Sequence, residues 1–262
     1  MSTIFVLVKH VPDTWSTKTL NPDFTLHREG VDEVIDEINE YAVEQALRLK
    51  ESLGESTVVA LSMGAPSSEE ALRKALAMGA DHAVLLSDPP LAGSDALGTV
   101  WALNCAIDAA AQTFGAPDVI IAGNASSDGS MGVVPGVLSE YRQVPALTNV
   151  REISVEGGVI KAVREDHSGT YQLSAPMPLV ISVTEKNDKP RFPNFKGIMA
   201  AKKAEIVRLS LADTAAEAAQ VGLANAATVV TAAANRPERS GGRIVRGEQG
   251  VEELVAFLKD RI

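Results

Sequence analysis

Short apolar runs rich in Val and Ile alternate with helix-spaced apolar residues through the first half of the chain, and this order is what most limits the possible folds. Each run is continuous enough to predict a strand buried on both faces. Between the runs, apolar residues recur three and four positions apart, as in an amphipathic helix. The order predicts a mostly parallel sheet with helices on both faces, a Rossmann-like α/β fold. The predicted strands cover 3–9, 57–63, 83–87 and 118–122, and the predicted helices cover 40–52, 68–79 and 95–114.

After residue 145 the pattern changes to alternating strand-like segments, with a Glu-Gly-Gly turn at 156–158. We place these segments in the same domain, which spans residues 1–186. From residue 187 onward, Pro, Gly and clustered Lys and Arg interrupt the pattern. We therefore predict that residues 187–262 form an extended C-terminal arm that wraps around a partner chain. A terminal amphipathic helix is predicted at 250–260 of this arm. The additional predicted strands cover 147–155, 159–165, 170–174 and 179–184.

Composition argues against several classes of function. The 262 residues include 24 Lys and Arg against 34 Asp and Glu, and the resulting net charge of -10 repels nucleic acid and anionic lipid. No apolar run approaches the roughly 18 residues of a membrane span, and the N-terminal run favours a first strand over a signal peptide. The single cysteine, Cys105, cannot form an internal disulfide. We therefore expect a cytoplasmic protein without nucleic-acid binding or membrane insertion.

The sequence contains no pattern typical of catalysis. His10, His27, His82 and His167 lack metal-ligand spacing, and one cysteine cannot build a zinc site. No nucleophile motif of the known hydrolase types is present either. We therefore predict no catalytic residue, no metal site and no enzymatic activity in this chain.

A polar, glycine-rich loop follows the predicted strand at 118–122. Open α/β sheets bind ligands at the carboxyl ends of their parallel strands, where this loop lies. Its glycines allow close backbone approach, and a helix predicted to begin near Ser130 would present free N–H groups to a phosphate. Asp128 would repel a phosphate unless turned away, and an ordinary strand-to-helix loop explains the spacing equally well. The candidate residues are Gly123, Asn124, Ala125, Ser126, Ser127, Asp128, Gly129, Ser130 and Gly132.

Two further loops end on the same predicted edge of the sheet. One follows the second strand at Met63, and the other begins the first helix at residues 36–39. Taken alone, the polar residues of the latter loop are better explained as helix caps. Three loops that converge on one edge nevertheless favour an adenine-nucleotide crevice. The first helix contributes Asp36, Glu37, Ile38 and Asn39 to this prediction.

Residues 186–203 carry six basic residues and one acid, in a chain that is acidic overall. Phe192 and Phe195 lie inside this segment, and prolines on both sides of Phe192 stiffen the chain and lower the entropy lost on docking. An aromatic anchor within a basic rim is typical of a docking site for an acidic partner. The alternative is a bent loop whose two rings fold back into the core.

Five stretches resemble the β-subunit family of electron-transfer flavoproteins, in the same order and over essentially the full length. The resemblance implies a heterodimer whose α subunit holds most of a redox-active FAD. It also implies an electron carrier that receives electrons from flavin dehydrogenases, such as the acyl-CoA dehydrogenases of fatty acid oxidation, and passes them to a quinone oxidoreductase. The stretches are VKHVPD (8–13), NEYAVEQALRLKE (39–51), ALRKALAMGADHAVLL (71–86), AGNASSDGS (122–130) and KPRFPNFKGIMAAKK (189–203), and the ending EELVAFLKDRI (252–262) is similar too.

The resemblance also implies a structural AMP buried in this subunit. Its contacts map onto Leu7, Met63, residues 36–39 and the run 123–130, which are the loops chosen above together with the first strand. The docking loop of the family maps onto 191–200, with Phe195 at the anchor position. Trp15 is the candidate for a β-side aromatic that approaches the flavin. The implied docking residues are Arg191, Phe192, Phe195, Ile198 and Met199.

The sequence departs from the family pattern at several places. Asp36-Glu37 replaces the usual Asp-Pro or Asn-Pro, and the loop NASSDGSMG replaces the family's acidic phosphate loop. Phe195 replaces an aliphatic anchor, which predicts different dehydrogenase partners. Because some family members hold a second FAD in place of AMP, a bifurcating subunit is one alternative. A stand-alone adenine-nucleotide sensor of the universal-stress type is another.

Overall fold

The structure is a computed structural model that describes residues 2–234, 241–242 and 244–259. Within these residues, strands and helices alternate through the first half of the chain, as predicted. The strands are β1 Ser2–Leu7, β2 His10–Pro12, β3 Glu33–Ile35, β4 Ser56–Met63, β5 His82–Leu86, β6 Val119–Gly123, β7 Ala146–Glu156, β8 Val159–Asp166, β9 Gly169–Pro176, β10 Leu179–Val183 and β11 Ile206–Leu209. The helices are α1 Glu37–Leu53, α2 Glu69–Met78, α3 Ala96–Phe114, α4 Val134–Arg142, α5 Phe195–Lys203 and α6 Gly247–Lys259.

Nine of these strands form one sheet in the order β11-β5-β4-β1-β6-β10-β7-β8-β9. The pairs from β11 to β7 are parallel, whereas β7, β8 and β9 continue as an antiparallel meander. Strands β2 and β3 form a separate antiparallel pair. The chain moves to one side of β1 to reach β4 and to the other side to reach β6, so a topological switch point lies at β1, where such sheets bind ligands. The predicted α/β fold with a mostly parallel sheet is confirmed.

Helices cover both faces of the parallel strands because successive side chains of a strand point to opposite sides. In β1, Ile4 and Val6 pack with the apolar faces of α1 and α2, while Phe5 and Leu7 pack with those of α3 and α4. All four of these side chains are buried. No helix among the described residues is long and apolar enough to cross a membrane.

A helix follows the loop after β6 as predicted, but the predicted start near Ser130 is wrong, because α4 begins at Val134. Ser130 has a φ of 48° and Gly132 a φ of 65°, and neither value fits a right-handed helix. Pro135, by contrast, suits the first turn of a helix because its fixed φ is helical. The free N–H groups of α4 therefore lie several residues further along the chain than the sequence indicated.

The chain remains part of the first compact unit well past residue 187, the predicted start of the arm. One compact unit continues through Val229, and a second, separate unit follows from Val230. Strand β11 pairs in parallel with β5, and Ile206, Leu211 and Val221 are buried. These apolar residues are too scattered to form a visible period, which is why the sequence did not reveal them. Residues 235–240, 243 and 260–262 of the predicted arm, including the end of its predicted terminal helix, lie outside the described residues.

Candidate functional site

The carboxyl ends of the adjacent strands β4, β1 and β6 open into a cleft of about 140 Å³. Eight of the predicted residues line the cleft: Leu7, Asn39, Met63, Gly123, Asn124, Ala125, Ser126 and Gly132. Sequence reasoning missed the remaining lining residues, which are Val8, Lys9, Thr99, Leu103, Ala122, Met131 and Val134.

The end of β6 packs against the start of α1 so closely that Gly123 has no room for a side chain. A Cβ at this position would lie 2.6 Å from Ile38 Cγ2 and 3.0 Å from Asn39 Nδ2. Ile38 is thus a packing residue behind the cleft wall and does not line the cleft. The glycine allows α1 to approach the sheet, which brings Asn39 to the cleft.

Two side chains at the start of α1 tie neighbouring loops together and do not cap the helix. Asp36 stands at the N-cap position without a capping hydrogen bond, and its carboxylate accepts the Ser127 backbone N–H at 2.8 Å. Asn39 Oδ1 accepts the Lys9 backbone N–H at 2.8 Å. Burial raises the pKa of the Asp36 carboxyl. These bonds fix the loops after β6 and β1 against α1.

Asp128 turns away from the cleft into a cluster of opposite charges. Its carboxylate lies 2.6 Å from Lys9 Nζ and 2.5 Å from Arg28 Nη2, and its side chain is 2% exposed. Burial would raise its pKa, but the charge of Lys9 and hydrogen bonds from Lys9, Ser126 and Arg28 outweigh burial and lower the pKa from 3.8 to about 2. The expected repulsion of a phosphate by Asp128 is therefore neutralised.

Of the other predicted loop residues, Glu37 is exposed, and Ser127, Gly129 and Ser130 lie outside the cleft lining. The Ser130 hydroxyl donates to the carbonyl of Ser126 at 3.3 Å, within the loop. Gly129 donates its N–H to Asp128 Oδ1 at 2.7 Å. These residues shape the loop that presents Ser126 to the cleft.

Asp128→Asn is expected to lower the free energy of unfolding by about 2 kcal/mol at pH 7. A carboxyl whose pKa falls on folding stabilises the native state above its unfolded pKa, here 3.8, and loses that effect as the pH falls through the folded value of about 2. The deficit of the variant should therefore shrink between about pH 4 and pH 2. Urea unfolding of the variant and the wild type at pH 7 and at pH 3 measures this difference in the free energy of unfolding.

The matched control is Asp108→Asn, which removes a surface carboxylate 2.9 Å from Arg142 Nη1. Exposed pairs of this kind contribute about 0–1 kcal/mol. Equal stability of Asp128→Asn and wild type at pH 7 would show that the buried cluster contributes nothing.

A second cavity, of about 610 Å³, adjoins the cleft and shares Lys9, Met63 and Thr99 with it. His10 lines this cavity and is buried, with Nδ1 3.3 Å from Glu33 Oε2. Its Nε2 has no hydrogen-bond partner within the described part of the chain. The remaining lining comes from Arg28, Glu33, Gly64, Ala65, Pro66, Ser68, Ser87, Asp88, Pro89, Leu91, Ala92 and Ser94. Among the described residues, no group of three or more His, Cys, Asp or Glu side chains is placed to hold a metal ion.

Comparison with known proteins identifies the family. A family profile described as "Electron transfer flavoprotein domain" matches residues 23–214. A protein of Mycobacterium tuberculosis named "Electron transfer flavoprotein subunit beta" is 47% identical, with 98% of each chain covered. The chain belongs to the electron transfer flavoprotein β-subunit family. A β subunit from Megasphaera elsdenii is 37% identical over 96% of this chain and 94% of its own. "Protein FixA" of Azorhizobium caulinodans is 34% identical over 87% of this chain and 82% of its own.

The segment that resembles the docking loop of the β-subunit family presents its aromatic rings to solvent. Phe192 is 96% exposed and Phe195 is 79% exposed, which excludes the alternative in which both rings fold into the core. Ile198 and Met199 are also exposed, on α5. Arg191 differs from these residues, since its guanidinium is bound to Glu44 of the same chain.

The residues that sequence reasoning missed in and beside this β-subunit cleft differ in whether any pattern in the sequence marks them. Lys9 comes directly after β1, so the rule that ligands bind at carboxyl ends of parallel strands points to it. Arg28, which lines the adjoining cavity, lies in the long connection between β2 and β3, and no local pattern marks it.

Trp15, the predicted aromatic near the flavin, lies in the same connection and is 95% exposed.

Proposed function

We propose that this chain is the β subunit of a heterodimeric electron transfer flavoprotein and holds an AMP in the cleft at the switch point of its sheet. The observation that supports the proposal most directly is the convergence of Leu7, Asn39, Met63 and the loop after Gly123 on that cleft, in a chain of this family. FAD, held mostly by the α subunit, would supply the redox chemistry. No catalytic residue of this chain enters the proposal.

The cleft lining contains groups that suit both parts of an adenine nucleotide. Leu7, Met63 and Leu103 provide apolar surface against which a base can lie. Ser126, which also lines the cleft, offers a hydroxyl, and the ammonium of Lys9 lies 3.3 Å from it. Because Lys9 and Arg28 offset the charge of Asp128, this carboxylate does not prevent a phosphate from binding beside Ser126.

The proposed partners follow from the exposed surfaces. We propose that the segment with Phe192 and Phe195 docks flavin dehydrogenases, such as acyl-CoA dehydrogenases, and that electrons leave to a quinone oxidoreductase. In the unit that begins at Val230, Val251 and Leu254 of α6 are exposed apolar side chains. An apolar helix face of this kind supports the proposal that the arm binds the α subunit. A cytoplasmic location belongs to the same proposal.

A second candidate function is a bifurcating subunit with FAD in place of AMP. The adjoining cavity of about 610 Å³ favours it, because a dinucleotide whose adenosine occupies the cleft could extend past Lys9 and Thr99 into that space. The stand-alone sensor has no comparable support, since the relatives cover essentially the whole chain and are named as subunits.

Extraction of the nucleotides from the purified heterodimer, followed by mass spectrometry, tests these proposals. We expect one AMP and one FAD per heterodimer. Two FAD and no AMP would establish the second candidate and overturn the first. A heterodimer that carries FAD but no adenine nucleotide in the β subunit would show that the cleft serves another purpose.

A further inference from the structure

We propose that Glu44 is a positioning residue: through Arg191 it holds the docking segment, defined here as residues 189–203, in the orientation that presents Phe192 and Phe195. This inference rests on the proposed docking function of that segment. It concerns α1, a helix that none of the predicted docking residues belongs to.

Glu44 accepts three hydrogen bonds from Arg191, which lies near the start of the docking segment. Its carboxylate accepts the Arg191 backbone N–H at 3.0 Å, Nε at 2.7 Å and Nη2 at 3.1 Å. The Glu44 side chain is 3% exposed, so these are charge-assisted bonds shielded from water. Backbone and side chain of Arg191 are thereby fixed together on α1, immediately before the exposed ring of Phe192.

Neighbouring charges complete this attachment. Arg191 Nη1 also lies 2.8 Å from Glu51, about two turns after Glu44 on α1. Arg48 bonds Glu44 at 2.9 Å and reaches Asp188, just before the segment, at 3.0 Å. Burial would raise the pKa of Glu44, but the hydrogen bonds from Arg191 and Arg48 outweigh it and lower that pKa. Glu44 is therefore ionised at neutral pH and retains both partners.

The other end of the segment is held on α2. A Cβ on Gly197 would lie 2.6 Å from the carbonyl oxygen of Ala77, so α5 packs directly on the backbone of α2. Arg73 Nη1 donates to the carbonyl oxygens of Ala201 and Ala204, each at 2.6 Å, which satisfies the free carbonyls at the end of α5. With both ends fixed, the attachment at Glu44 sets the position of the two rings between them.

Fixing an interface segment before contact lowers the entropy lost on binding. Release of the Arg191 end should therefore weaken docking without changing the electron-transfer step once the complex has formed. The role of Glu44 therefore differs from that of the two Phe rings, which supply the contact area.

The test compares Glu44→Gln with wild type in the purified αβ heterodimer. We expect KM for a reduced acyl-CoA dehydrogenase as electron donor to rise about threefold to tenfold with kcat unchanged. FAD and nucleotide contents should not change. Hydrogen exchange of the backbone amides of residues 191–199 should become faster. Arg191→Met removes the same attachment from the other side and should reproduce these effects, and Arg191→Lys, which keeps the charge, should restore part of the affinity.

Lys50→Ala is the matched control, because it removes a different ion pair of α1, in which Lys50 Nζ lies 2.6 Å from Asp81. It should leave KM and the exchange of 191–199 unchanged. Unaltered KM and exchange in both Glu44→Gln and Arg191→Met, alongside a raised KM in Phe195→Ala, would overturn the positioning role while the docking function stands. If Phe195→Ala leaves KM unchanged, the docking function fails, and the positioning role fails with it.

Discussion

Gly123→Val is expected to release the nucleotide that we propose for the cleft and to destabilise the protein. The β-branched side chain would meet Ile38 Cγ2 and Asn39 Nδ2, which lie 2.6 and 3.0 Å from an ideal Cβ. To relieve these contacts the start of α1 must move, and Asn39 then leaves both the cleft and its bond to the Lys9 backbone. Overpacking of this kind lowers the free energy of unfolding by about 1–3 kcal/mol. Nucleotide affinity should fall about tenfold or more.

Gly136→Val is the control, since a Cβ at Gly136 in α4 meets nothing within 4 Å. Gly and Val differ by only a few tenths of a kcal/mol in helix propensity, so stability and nucleotide content should stay close to those of wild type. Nucleotide release measured by mass spectrometry and urea unfolding of both variants provide the comparison. A Gly123→Val protein that unfolds earlier but keeps its nucleotide at full occupancy would place the nucleotide outside this cleft.

Phe195→Ala is expected to slow electron transfer from the dehydrogenase partners while FAD content stays the same. The ring is 79% exposed, so its removal opens no cavity and should not affect folding. If the ring fills a pocket on the partner, truncation costs about 2 kcal/mol of binding, which is about a thirtyfold loss in kcat/KM under limiting dehydrogenase. Steady-state transfer from a reduced acyl-CoA dehydrogenase measures this loss.

Leu97→Ala removes another exposed apolar side chain, on α3, and should leave transfer unchanged. Phe195→Leu adds a graded test, because the family resemblance places an aliphatic anchor at this position. We expect Phe195→Leu to retain part of the activity and to shift preference among dehydrogenases. Loss of FAD from Phe195→Ala would instead place this residue at the flavin, contrary to the docking proposal.

The sequence was informative about the cleft wherever a local pattern coincided with a general rule of α/β folds. Met63 and Gly123 were predicted because each ends a Val- and Ile-rich strand, and the carboxyl ends of parallel strands share one edge. The starting residue of α4 was missed because Ser130 adopts a positive φ, which no periodicity reveals. Asp36 was chosen for the right region, but its bond to Ser127 depends on how two loops pack.

Long-range charge pairs were beyond the reach of pattern reasoning. Asp128 finds its partners 119 and 100 residues earlier in the chain, at Lys9 and Arg28. Arg191 was predicted as a partner-docking residue from the family resemblance, yet it bonds Glu44, 147 residues away. The sequence around a charged side chain does not indicate which oppositely charged residue it will contact.

The sequence by itself determined the alternation of strands and helices and the sheet edge on which the loops meet. These features follow from local spacing of apolar residues, and local spacing survives in any fold that buries them. The tertiary structure alone decided that β11 joins the sheet beside β5, that Asp128 is neutralised by Lys9 and Arg28, and that Arg191 fastens the docking segment to α1. Such pairings arise from the packing of distant elements against each other, where small shifts in position determine which charges and strand edges come within bonding distance.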